Sequence, residues 1–249
     1  MDIDDALTAL QQVIDDFRFA ASSLVADIAL IGLGIDVLEA GQAVRTLAGS
    51  QLPHRAYPCG RQAFEAAQQA IVLATHEHYV EPGARAWVYF ERKDSKWRAS
   101  MAKITPHQWL ERRVEEMAAI WDSISPGCGT TLRHALQTRK QTVRPDNWLG
   151  EVMTARQHAG LAKIATALGN TLTGDSAATN AQLYAALCRE THARPRLEVA
   201  AVHHSADGSL RIDSVPRDLA KASACVLLSA SLSAQEAMLA LAWRVADAA

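Results

Sequence analysis

Two stretches of this chain put polar side chains where a helix would ordinarily carry core. The first is Arg61-Gln62-Ala63-Phe64-Glu65, near the start of a helical segment that runs on to His76-Glu77-His78-Tyr79. The second begins at Tyr184, passes through Leu187 and Cys188, and ends in His192, Arg194 and Arg196. Brought together, an arginine, a carboxylate and a histidine could perform acid–base chemistry at a phosphoryl group. The histidine would take and return a proton, the carboxylate would orient it, and the arginine would stabilise developing charge. Arg61, Glu65 and His192 are therefore the candidate catalytic residues. Tyr184, Arg194, Arg196 and His76 are candidates for holding a substrate, the two arginines because a guanidinium suits phosphate or carboxylate.

The same residues have plain structural uses. Arg61, Glu65, Gln68, Gln69, Val72 and His76 share one side of a helix, as a solvated stripe or as the lining of a cleft. Glu65 four residues after Arg61 is an ordinary helical ion pair, worth well under ~1 kcal/mol on a surface. A histidine near a helix C-terminus, as His192 would be, is stabilised by the helix dipole when charged. In that case the polar set is a network that fixes helix register.

Other chemistries find little purchase. His76-Glu77-His78 and His203-His204 are the histidine clusters, but residues i and i+2 of a helix point apart, and there is no H-E-x-x-H. No metal and no cofactor is called for. The four cysteines lack C-x-x-C spacing, which suits reduced thiols in a cytoplasmic protein. Neither a G-x-S-x-G elbow nor a phosphate-binding P-loop is present. A formal charge of -2 gives no global attraction to nucleic acid or anionic lipid. Locally, however, Arg85, Arg92, Lys93, Lys96, Arg98 and Lys103 interleave with Trp87, Tyr89 and Trp97, a pattern that can bind single-stranded nucleic acid or simply be a solvated helix face.

The elements that must position these residues read as helices. The chain is alanine-rich and 6% aromatic, a mix that favours closely packed helices over sheets. Periodicity predicts one long helix, or two with a kink near Gly32 and Gly34, over residues 3–48. A turn segment follows at 50–58, then a helix over 58–79 with a core stripe of Phe64, Ala67, Ile71, Ala74 and His78. Pro82-Gly83 reads as a break before another helix carrying Arg85 to Lys96. Thr105-Pro106 reads as a cap and first position of a helix ending near Ser123. Further helices are expected at 130–141, 148–169, 176–192 and 217–246. Alternating residues around Ala206-Asp207-Gly208 predict a small β-hairpin near 197–215. The expectation is an all-α multi-helix bundle with that one hairpin, forming a single domain over 1–249. The apolar runs 24–38 and 222–234 are shorter than the ~20 clean residues of a membrane span, so core helices and no membrane partner are expected.

Taken in order, Arg61-x-x-Phe64-Glu65 and Tyr184-x-x-Leu187-x4-His192 resemble the pattern of an uncharacterised bacterial family of all-helical proteins, loosely akin to HEPN-type bundles. Many HEPN bundles are ribonucleases of toxin–antitoxin or phage-defence systems, so the resemblance implies action on RNA or a nucleotide in stress or defence. It would make the chain a metal-independent ribonuclease or a nucleotide-directed hydrolase or transferase. One departure counts against a direct transfer: HEPN ribonucleases carry R-x(4–6)-H on a single helix, and here Arg189 to His192 is too short. The alternative is a non-catalytic helical interaction module with a protein partner. A homodimer is compatible with either.

Overall fold

The computed structural model describes residues 1–50, 53–138, 187, 200–204, 210–214 and 219–247. Among these are seven α-helices: α1 (Ile3–Asp16), α2 (Leu24–Gly49), α3 (Pro53–Ala74), α4 (Val80–Met101), α5 (Pro106–Ile124), α6 (Cys128–Thr138) and α7 (Leu219–Asp247). The described residues are all-α in class, as composition and periodicity predict. Backbone pairing is also described for Ala200–His204 with Leu210–Ser214, antiparallel and with Val202 opposite Ile212. The fold class rests on the helices alone. The expected helices at 148–169 and 176–192 lie outside the described residues, apart from Leu187.

Local chemistry sets several helix starts. Asp2 caps α1 by accepting the Asp5 N–H at 2.9 Å, and Asp4 and Asp5 complement the positive end of the helix dipole. Thr105 and Gln108 form a reciprocal capping box at α5, with Pro106 in the first turn, where its missing N–H costs no bond.

Other boundaries depart from the periodicity. The N-terminal helix breaks at 17–23 rather than at Gly32 and Gly34, which stay inside α2. The cause is Asp27, whose carboxylate accepts the Ala20 N–H at 3.0 Å and the Ser23 hydroxyl at 2.9 Å, folding the chain back over the start of α2. Helix α3 begins at Pro53, so residues expected as a turn form its first turns and Pro58 lies within it. It ends at Ala74, which leaves His78 exposed and gives the buried place expected of it to Tyr79. Pro82 and Gly83 open α4 instead of breaking the chain. A proline in the first turn forfeits no helical bond. Gly83 lets α4 lie directly on α2, since a Cβ there would run into Cα and Cβ of Ala26.

Helix α2 is buried on most sides, from Leu24 through Leu30 and Leu33 to Val44, and leaves one stripe exposed at Gly32, Ile35, Glu39, Gln42 and Arg45, which makes it the central helix. Helices α1, α3 and α7 pack around it. Helix α7 brings small residues (Ala222, Ala230, Ala234, Ala237 and Ala240) to that contact, all 5% exposed or less, so backbones approach closely. On another side α4 contacts α2 and carries α5 and α6, with Trp87 meeting Trp121 edge to face at 5.2 Å. Helices α2 and α7 extend well beyond the uninterrupted apolar runs of the sequence. By length and composition both could cross a membrane, yet more than half of the most apolar stretch of each is buried within the protein.

Candidate functional site

Arg61 and Glu65 sit one turn apart on α3. The Arg61 Nε donates to the Glu65 Oε1 at 2.7 Å, and the side chains remain 27% and 37% exposed. Between and beside them Ala63, Phe64, Ala66 and Ala67 are buried. The pair therefore lies at the rim of the core, formed but reachable.

Leu187 is the one described residue of the second stretch. It is helical and fully buried, in a cluster with Val44, Tyr57, Phe64 and Val226. Its Cδ2 lies 3.2 Å from the place a Cβ on Gly60 would occupy, so even a methyl group there would crowd it. Leu187 thus lies against Gly60, the residue before the Arg-x-x-Phe-Glu stretch, and shares one apolar cluster with Phe64 of that stretch. Tyr184, His192, Arg194 and Arg196 lie outside the described residues.

His76 is not part of this meeting. Fifteen positions beyond Arg61, it stands roughly 20 Å further along the helix direction at 1.5 Å per residue. Its Nδ1 accepts the His78 backbone N–H at 3.0 Å, which fastens the α3–α4 turn. Gln68 and Val72, expected on the same polar stripe, are buried instead. Gln68 Nε2 donates to Glu236 Oε2 of α7 at 2.7 Å, a buried link across 168 positions of sequence.

A second polar network has no motif to announce it. Asp27 is 3% exposed and, besides Ala20 and Ser23, accepts the Tyr79 hydroxyl at 2.9 Å. The Arg244 guanidinium lies over the Tyr79 ring, 4.0 Å from its centroid. Burial pushes the Tyr79 phenol well above its ordinary range, the Asp27 charge and hydrogen bond push it further, and Arg244 offsets part of this. Tyr79 is thereby held as a proton donor. The available signal was Asp27 itself, an acid interrupting an apolar run; its partner Tyr79 is 52 positions away, and the arginine over Tyr79 comes from the final helix.

Tyr79 and Arg244 also line a cleft of about 850 Å³, with His78, Glu81, Thr131 and His134. Its lining combines imidazoles, a guanidinium and carboxylates. Among the described residues no group of three side chains is arranged to hold a metal ion. Comparison with protein-family models, with curated proteins and with solved structures finds no match to this chain.

Proposed function

We propose that this protein acts on RNA or a nucleotide, without a cofactor, at the rim of α3 that carries Arg61 and Glu65. The supporting observation is the seat of Leu187 beside Gly60, in one apolar cluster with Phe64, because it brings one residue of the second sequence stretch to the helix that holds the first. In this reading His192 is the general acid and base, Glu65 orients it, and Arg61 meets the phosphoryl charge, with Tyr184, Arg194 and Arg196 shaping the pocket. The setting is bacterial stress or phage defence in the cytoplasm, as the HEPN-like resemblance implies, and a homodimer is compatible with it. The experiment is incubation of wild type, Arg61→Ala, Glu65→Ala, His192→Ala and His134→Ala with labelled RNA and with nucleoside triphosphates. Turnover lost in the first three variants and kept in His134→Ala supports the reading. Turnover lost only in His134→Ala moves the chemistry to the Tyr79–Arg244 cleft, and no turnover at all overturns the proposal.

A second reading is favoured by the Gln68–Glu236 bond and by the Asp27 network. Both join helices through buried, hydrogen-bonded polar groups, an arrangement that specifies register. In it the chain is a non-catalytic helical module. The hairpin expected near 197–215 then belongs to the surface that docks a protein partner. Co-purification of a stoichiometric partner, without turnover, would favour it.

A further inference from the structure

We infer that the end of the α4–α5 hairpin, from Lys96 to Lys103, is a contact for single-stranded RNA. The structure divides the basic–aromatic segment of the sequence into two parts. In the first, Trp87 is buried against Trp121, Tyr89 packs on the core, and Arg85 and Glu91 face Glu81 and Arg113 at 3.8 and 3.5 Å. That part is structural. The second part faces solvent: Trp97 is 70% and Met101 71% exposed, one turn apart, beside exposed Lys96, Arg98 and Lys103.

Charge marks this end out. From Ser95 to Leu110 the chain carries three cations and no carboxylate, on a molecule whose formal charge is -2. Lys96 and Lys103 form no ion pair among the described residues. Lys103 also holds the left-handed backbone (φ 54°) that ends α4, with Ile104 N–H bonded back to the Ala99 carbonyl at 3.0 Å. Glycine or asparagine takes that conformation more easily.

The occupant is argued from shape and charge together. Trp97 offers an open indole face, and the Arg98 guanidinium lies over the Trp109 ring at 5.7 Å, a second planar surface. Bases stack on such faces without regard to sequence, while the exposed Lys96 and Lys103 supply the charge that backbone phosphates require. An anionic membrane would need a broad apolar face to insert, and here two apolar side chains stand among cations. The inference extends the RNA activity proposed above by naming single strands as the form bound. Its test does not depend on turnover.

The test is fluorescence anisotropy of a labelled oligouridylate with the full chain, repeated over a range of salt. Because these side chains are exposed, Trp97→Ala and the Lys96→Gln/Lys103→Gln double variant should keep the wild-type circular dichroism spectrum and melting temperature. Trp97→Ala is expected to weaken binding about ten-fold, the loss of one stacked base. The double variant should lower the slope of log affinity against log salt by about 1.4, two phosphate contacts on a single strand. Gln42→Ala, at an exposed position of α2 with no part in either site, should bind as wild type; binding is read without turnover, so a failed nuclease assay leaves this result standing. Absence of binding by wild type, or binding indifferent to both variants, overturns the inference. So does a loss seen only with phosphatidylserine vesicles, which would make the tip a lipid contact.

Discussion

Arg61→Ala and Glu65→Ala each remove half of an ion pair that is more than a quarter exposed on both sides. The expected loss of stability is under ~1 kcal/mol, a shift of at most a few degrees in thermal unfolding. Asp27→Ala is a different case. It leaves the Tyr79 hydroxyl, the Ser23 hydroxyl and the Ala20 N–H without their acceptor in a buried place. A loss of about 3 kcal/mol or more is expected, and urea titration of the variant would measure it. Tyr79 adds a pH dependence whose sign follows from burial. Its proton is held more tightly in the folded chain than in the unfolded one, where the value is near the ordinary 10.0. Its contribution is therefore complete below that pH and falls as pH rises past it, because the unfolded chain ionises first. Melting temperatures from about pH 9 to about pH 11 should decline more steeply for wild type than for Tyr79→Phe. Equal declines would show that Tyr79 ionises freely.

At the scale of elements, two glycines inside helices predict opposite outcomes. Gly32 in α2 is exposed, and a methyl group added to its Cα would meet nothing within 4 Å. Gly32→Ala should stabilise by roughly 0.5–1 kcal/mol through helix propensity alone. Gly83 sits where α4 rests on α2, and Gly83→Ala must separate them, since the obstacle is the Ala26 backbone as well as its side chain. A loss of about 1–3 kcal/mol or more is expected. Chemical denaturation of the two variants would test both signs. The sequence shows a glycine at each place, and only the neighbouring helix distinguishes them. The same holds for Pro82-Gly83, which reads as a break and in fact opens α4.

Across the whole molecule, α7 closes the body by returning to α1, α2 and α3. Its Ser231 hydroxyl donates to the Met1 carbonyl at 3.1 Å, tying the middle of α7 to the residues just before α1. It also supplies Glu236 to Gln68 and Arg244 to the Tyr79 ring. A chain ending before Leu219 should lose cooperative thermal unfolding altogether, because α2 would expose an apolar side along much of its length. Retention of a sharp transition would mean that α1 to α6 hold their own core. Helical class and the α5 cap were legible in the sequence, because capping and periodicity act within a few residues.

What lay in the sequence by itself was the helical nature of this protein, the capped start of α5, and the pairing of Arg61 with Glu65. Each depends on residues three or four positions apart, whose geometry any helix supplies. What only the tertiary structure decided was which polar residues leave solvent. Gln68 turned to Glu236, Tyr79 turned to Asp27, and Leu187 came to rest on Gly60. Those contacts join segments far apart in the chain, and their energy comes from burial, which depends on what packs above a residue rather than on what stands beside it in sequence.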